Sequence, residues 1–514
     1  MKTSRALRFF MIALSLFLFS LAAGAQARRN LTLARVLYNT LKTTISPQGE
    51  LKARIDAIDK ELAAATRQGR TGEVRHLMAK GIALLSGREW TDQLEFSSSL
   101  VLRTDAVIID SSRPWTVRLE QIYQPKIDLA GSLTALAAIY KPAERPQAAA
   151  LGDKVKDLTT IEGVGRDFMD NPLRMEVDLS GIADGMYVIK VELRLKEEPL
   201  GEATLAVSLA RGLEPRLTRI EGDLKRVRGF EDLQAEVLYP SDRIKNINRG
   251  RLEMAGFDLE KELVRAEAAL KSLKSKKNPF AGRTRDMERH YLLAEAREIM
   301  PYRVYVPAKY SGKESFPLII ALHGLGATQD SFFDAYGKEF PKLAEQHGYI
   351  VAAPLGYRVD GGYGFSLLRA PDDIAEVRKA EYSEKDVFQV LDWMRKNYRI
   401  DEKRIYLEGH SMGAIGTWYL AAKYPDIWAA IAPFSGYGIP ASVAKMNGIP
   451  AIVIHGDADS TVPVAGSRVM VEALKKLGVE YQYIEVPGGN HMNVVQPNFG
   501  AVFDFFDKHR KNAP

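Results

Sequence analysis

Gly409-His410-Ser411-Met412-Gly413 lies between the apolar run Arg404-Ile405-Tyr406-Leu407-Glu408 and a helical pattern from Ala414 to Ala422. Few local structures satisfy that order. A strand must turn into a helix within a handful of residues, and only glycines fit beside the central serine without a Cβ clash. Such a turn lifts Ser411 above the edge of a sheet and aims the N-terminus of the helix at it. The positive end of that helix stabilises negative charge developing there. The five-residue pattern alone is common. Its setting between strand and helix is what constrains the fold.

The rhythm around this motif is strand–helix alternation from about residue 299 onward. Tyr302–Val306, Leu318–His323, Ile350–Pro354, Arg404–Glu408, Ala429–Phe434, Ala451–His455 and Tyr481–Val486 read as strands. Glu384–Tyr398, Met412–Tyr424, Ser467–Leu477 and Phe499–His509 read as helices between them. The expectation is an α/β fold, a doubly wound and mostly parallel sheet covered on both faces.

A serine hydroxyl is a poor nucleophile near neutral pH. It needs a base within hydrogen-bond reach and a third group to orient that base. In doubly wound sheets such groups sit on loops at the carboxyl ends of strands. After Ala451–Gly456 comes Asp457-Ala458-Asp459, where Asp459 is the expected acid and Asp457 the alternative, with a role bracing the loop. After Tyr481–Val486 comes Pro487-Gly488-Gly489-Asn490-His491, and His491 is the expected base. The chain order Ser, Asp, His matches one of the three known triad orders. The strand 318–322 runs into His323-Gly324-Leu325-Gly326, so the backbone N–H groups of Leu325 and Met412 are the expected oxyanion donors. Gly324-x-Gly326 lacks a third glycine, Gln329 standing in its place, which argues against a dinucleotide site.

These residues resemble the alpha/beta-hydrolase superfamily over about 299–510. The closest resemblance is to secreted esterases such as polyhydroxybutyrate depolymerases and feruloyl esterases, with a prolyl-oligopeptidase-type catalytic domain. It rests on His323-Gly324, Asp401–Tyr406, Gly409–Gly413, Lys423-Tyr424-Pro425-Asp426, His455–Asp459, Val462-Pro463 and Gly489-Asn490-His491. It implies Ser411 as nucleophile, Asp459 as acid and His491 as base. The motifs are specific to fold and triad, not to substrate. The expected function is an exported serine hydrolase that cleaves carboxylic esters through an acyl-enzyme, acting on a small-molecule or polymer-linked ester without metal or cofactor. A serine peptidase with the same triad and an inert envelope binding protein are the alternatives.

The rest of the 514-residue chain is too long for one domain. Lys2, Arg5 and Arg8 precede an apolar stretch from Phe9 to Ala22 and the small residues Ala23-Gly24-Ala25, which reads as a signal peptide over 1–25. Its removal lowers the formal net charge from +6 to +3, since three positive charges and no negative one are lost. A nearly neutral remainder without a basic stripe argues against nucleic-acid binding. There are no cysteines, which excludes disulfides, thiolate metal sites and a cysteine-linked lipid anchor. Periplasmic and secreted locations both fit, and no membrane span is expected.

Helical periodicity marks 26–112 as a helical segment, with a hairpin over 49–87. Alternation marks 113–212 as a β-rich, immunoglobulin-like accessory domain. Charged helical patterns mark 213–285 as a connector, leaving 286–514 for the catalytic domain. The accessory region is a candidate for binding polysaccharide, narrowing the site entrance or mediating dimers. Within 355–383, a long Gly- and aromatic-rich excursion, Tyr357, Tyr363 and Phe365 are candidate substrate-wall residues. His410 is expected to pack under the turn, and His323 and His455 to hydrogen-bond loops. Asp386 and Asp392 are expected to be capping or surface groups, and Trp418 a core residue.

Overall fold

The computed structural model describes residues 26–127, 131–143, 151–252, 254, 257–366 and 373–511. The signal-peptide reading of 1–25 lies outside them. No described helix is long and apolar enough to cross a membrane. The chain divides into two compact units, Met1–Gly222 with Pro240–Leu263, and Asp223–Tyr239 with Val264–Pro514.

The first unit opens with helices Gln26–Ile45, Gly49–Arg67 and Thr71–Leu85. Ile55, Ile58, Leu62 and Ala65 recur at helical spacing and bury one stripe against Val74, Leu77, Met78 and Ile82. The strands that follow are β1 (Leu100–Arg103), β2 (Ile108–Ile109), β3 (Trp115–Gln121), β4 (Leu133–Tyr140), β5 (Lys154–Val164), β6 (Leu173–Val177), β7 (Gly185–Leu195) and β8 (Glu198–Leu209). They form a three-stranded sheet, β1-β3-β6, and a five-stranded sheet, β2-β8-β7-β4-β5. Inward residues such as Val117, Leu119, Ile189, Val191 and Val207 share one apolar core, the layering of a β-sandwich. The sandwich starts at Leu100, not at 113. Four residues are too few to show a period, and pairing with β3 (Leu102 opposite Leu119) makes β1 a strand.

The segment 213–285 is not one connector. Its helices are Leu213–Leu224, Gln234–Asn248 and Leu259–Lys274, and their side chains serve different units. Asn248 binds the backbone of Val107 and Ile108 in the first unit, at 3.0 and 2.9 Å. Glu236 binds Arg289 and His290 in the second, at 2.6 and 2.9 Å.

The second unit contains β9 (Arg285–Leu293), β10 (Glu298–Val306), β11 (Phe316–Leu322), β12 (Ile350–Pro354), β13 (Ile400–His410), β14 (Ala430–Phe434), β15 (Ala451–Gly456) and β16 (Tyr481–Val486). The sheet order is β16-β15-β14-β13-β11-β12-β10-β9. Strands β11 to β16 run parallel, and β10 is antiparallel to both β12 and β9. This is the α/β fold that the alternation implies. Strand β11 is buried at every position, as a sheet covered on both faces requires. Helices Ile374–Asn397, Met412–Lys423 and Ala465–Lys476 contribute Val390, Trp418 and Met470 to one core. Glu339–His347 and Phe499–Lys508 contribute Phe340, Phe499, Phe503 and Phe506 to the other. Each of these phenylalanines stabilises the fold by about 1.5–3 kcal/mol relative to exposure.

Candidate active site

Strand β13 delivers the chain to Ser411 at φ 57°, ψ −116°, a conformation that a non-glycine residue avoids. Strain of this kind costs about 1–3 kcal/mol and persists only where the surroundings enforce it. Here the enforcing contacts are backbone on backbone. A Cβ on Gly409 would sit 2.3 Å from Gly413 O, and one on Gly413 would sit 2.0 Å from Leu322 O. Ser411 N–H is tied to Phe434 O at 2.9 Å. The turn therefore holds the serine hydroxyl at the carboxyl end of the sheet.

The loops after β15 and β16 bring the other two groups to the same rim. Gly456 permits their approach, since a Cβ there would lie 2.1 Å from Gly489 O. Ser411 Oγ lies 2.9 Å from His491 Nε2, and His491 Nδ1 lies 2.7 Å from Asp459 Oδ2. Asp459 Oδ1 accepts the N–H groups of Thr461 and Val462 at 2.8 and 2.9 Å. Burial alone would raise the Asp459 carboxyl. Hydrogen bonds from His455 and His491, the charge of His491 and the backbone donors outweigh burial and hold it well below the usual carboxylate range. Its folded value is depressed, so its contribution to stability is present above about pH 3.9 and is lost as pH falls through the folded value. Asp457 is placed differently, with Oδ1 accepting Gly488 N–H at 2.6 Å, which braces the loop.

The turn at 323–326 packs beside Ser411, since a Cβ on Gly324 would lie 3.4 Å from Ser411 Cβ. Gly326 N–H and Ala327 N–H are used by Val359 O and Gly324 O. The N–H groups of Leu325 and of Met412, the first helical residue, donate to no carbonyl among the described residues. Two unused donors beside a serine hydroxyl can stabilise a tetrahedral oxyanion.

Two expectations need correction and one is extended. His410 does more than pack. Its Nε2–H donates to the backbone O of His491 at 2.9 Å, and Tyr336 OH lies 3.4 Å from its Nδ1. Burial and the neighbouring His491 push His410 down to about 4, so the ring is neutral at neutral pH and anchors the His491 loop to β13. Asp386 is neither a surface nor a capping group but is fully buried, accepting from Tyr291 OH and, at 2.7 Å, from Tyr357 N–H. Burial pushes its carboxyl up to about 6. Tyr363 walls no substrate. It is fully buried, with its N–H on Ser383 Oγ and its hydroxyl on His323 O.

The other two aromatic candidates diverge. Tyr357 stacks on the Arg358 guanidinium at 3.7 Å and meets Tyr382 edge-on, and neither is a triad neighbour. Phe365 lines a cavity of about 290 Å³ together with Ile415, Tyr419, Gly438 and Ile439. Ile415 N–H donates to Ser411 O at 3.1 Å, so this cavity begins one helical turn from Ser411. The sequence marked Phe365 but not Ile415 or Tyr419. The signal was available, because residues four and eight after Ser411 share its helix face.

Glu408 was also missed. It is fully buried three residues before Ser411, and neither carboxylate oxygen has a partner among the described residues. Burial raises its carboxyl well above the usual range. The native state therefore keeps a proton that the unfolded chain releases above about pH 4.3. Stability must fall with rising pH, by about 1.4 kcal/mol per unit, until the folded value is reached. Glu408→Met is expected to flatten the pH dependence of Tm above the ordinary carboxylate range and to raise Tm there relative to wild type. A variant with the wild-type slope in calorimetry would refute this account.

Residues 309–510 match the sequence family described as Phospholipase/Carboxylesterase. A bifunctional acetylxylan esterase/xylanase of Neocallimastix patriciarum is 30% identical over 159 residues, 31% of this chain and 21% of that protein. A feruloyl esterase B of Neurospora crassa is 30% identical over 132 residues, 26% of this chain and 42% of that protein. The chain thus spans less than half the length of these curated relatives. Among solved structures, a thermostable esterase aligns at 18% identity and a TM-score of 0.39, covering 74% of this chain and 90% of its own. A ferulic acid esterase of Anaeromyces mucronatus aligns at 20% identity and a TM-score of 0.37, covering 45% and 93%. The family match is confined to the C-terminal region, about two fifths of the chain, where the motifs around Ser411, Asp459 and His491 lie.

Proposed function

We propose that this alpha/beta hydrolase is an exported serine esterase whose substrates carry a bulky, largely apolar acyl group on a polymer-linked alcohol. The observation that carries the reading is the continuous hydrogen-bond chain Ser411–His491–Asp459. Ser411 Oγ attacks the ester carbonyl as His491 Nε2 takes its proton. Leu325 and Met412 N–H receive the oxyanion. His491 returns the proton to the leaving alkoxide, and water then releases the acyl group by the same route. Asp459 keeps the imidazole proton on Nδ1 throughout. Export rests on the sequence pattern of residues 1–25. The polymer-linked alcohol is supported by relatives named for acetylxylan and feruloyl esters.

The cavity lined by Ile415, one helical turn after Ser411, supports a bulky acyl group over acetyl, because its lining is mostly apolar and its volume far larger than a methyl group needs. Ile415→Trp is expected to lower kcat/KM for feruloyl esters by roughly 10- to 200-fold and to leave acetyl esters nearly unchanged. Equal losses on both would remove the acyl-pocket assignment. The overall reading is tested with p-nitrophenyl acyl esters, feruloyl esters and aminoacyl p-nitroanilides on the purified chain. Cleavage of the anilides alone would reassign it as a peptidase.

A further inference from the structure

His455 lies next to the end of β15 with no exposed surface, four residues before Asp459. Its Nδ1 lies 2.7 Å from Ser467 Oγ, and the Ser467 hydroxyl in turn lies 2.9 Å from Gly436 O. Its Nε2 lies 2.9 Å from Val462 O and 3.1 Å from Asp459 Oδ2. Both neighbours of Nε2 are acceptors only, so Nε2 must carry a proton and donate it. Asp459 Oδ2 is also the oxygen that His491 Nδ1 reaches, at 2.7 Å. Two imidazoles thus converge on one carboxylate oxygen whose side chain is fully shielded from solvent.

We infer that His455 is a positioning residue for the triad: it occupies one lone pair of Asp459 Oδ2 and so directs the other at His491 Nδ1–H. This inference rests on the proposed roles of Ser411, Asp459 and His491. A carboxylate oxygen offers two in-plane acceptor directions. The backbone donors at Thr461 and Val462 hold Oδ1 alone and leave the group free to swing about that anchor. The His455 donor removes the swing. It is itself held, since the Ser467 hydroxyl lies 2.7 Å from Nδ1 on the far side of its ring. The path from Ser467 through His455 and Asp459 to His491 gives the general base a rigid back support. Misplacing a catalytic group by about 1 Å costs on the order of 10²-fold in rate.

The test compares wild type with His455→Leu, which fills the site without a donor, and His455→Gln, whose amide N–H reaches the Nε2 position. Each protein is measured for Tm, for kcat and KM on p-nitrophenyl butyrate, and for the low-field proton resonance of His491 Nδ1–H. The expected result is a loss of about 10²-fold in kcat for His455→Leu with KM nearly constant. At least tenfold should return in His455→Gln, and the low-field proton should move in the leucine variant and recover in the glutamine one. A packing role alone predicts the opposite pattern, in which Tm falls in both variants while kcat per folded molecule and the proton resonance stay at wild-type values. That outcome overturns the inference. If wild type turns over nothing, the proposed function fails by itself. The proton resonance then still decides, an unchanged signal in folded His455→Leu counting against His455 and a displaced one for it.

Discussion

Ser411→Ala is expected to lose about 10⁴- to 10⁶-fold in kcat on every ester tested, and to lose all labelling by a fluorophosphonate probe. The hydroxyl is the atom within 2.9 Å of His491 Nε2, and alanine supplies no replacement. Folding should survive. The backbone is held by Ser411 N–H on Phe434 O and by close glycine contacts, none of which involves Oγ. The substitution therefore separates chemistry from structure, and Tm should stay near the wild-type value. Labelling of the alanine variant at the wild-type rate would place the nucleophile elsewhere. A folded wild type that takes no label would support the inert binding-protein reading instead.

Asp459→Asn is expected to lower kcat by about 10⁴-fold with little change in KM. The argument is one of donors and acceptors. Thr461 and Val462 N–H both aim at Oδ1, so an asparagine must place its carbonyl oxygen there. Its NH₂ then falls in the Oδ2 position and faces His491 Nδ1. Two donors cannot face each other, so the imidazole proton moves to Nε2, the atom that must accept from Ser411. The base is present but in the wrong tautomer. Asp457→Asn is the control. Asp457 accepts only from the loop at Gly488, and its loss should cost less than tenfold. A larger effect at Asp457 than at Asp459 in steady-state kinetics would reverse the assignment of the acid.

What was legible in the chain, and what was not, follows from the range of the interactions involved. The turn at Ser411 was legible because its glycines answer a local demand, with backbone approaching backbone at distances no Cβ tolerates. Strands β11, β12, β14 and β15 were legible because burial on both faces forces nearly continuous apolar runs. Strand β9 was missed because its buried positions include Arg289 and His290. Their polarity is neutralised by Glu236, some fifty residues earlier, so no local pattern reveals it. Asp386 read as a surface residue because the loop that buries it, donating Tyr357 N–H, is distant in sequence. Tyr363 and Phe365 sit two residues apart in the same glycine-rich stretch. Composition marks that stretch as a loop, but only packing sends one ring into the core and leaves the other at the cavity.

The amino-acid sequence by itself determined the α/β architecture of the C-terminal region and the identity of the serine, acid and histidine that meet at one rim. Those features are written in short-range periodicity, in glycine spacing and in the order of residues after strand ends. Only the tertiary structure decided what surrounds them: His455 sharing the Asp459 oxygen, His410 anchoring the His491 loop, a buried Glu408 with no partner among the described residues, and a cavity one helical turn from Ser411. The reason is physical. Hydrogen bonds between side chains, and the burial that shifts their protonation, depend on a geometry set by chain packing, even where two partners such as His455 and Asp459 lie close in sequence.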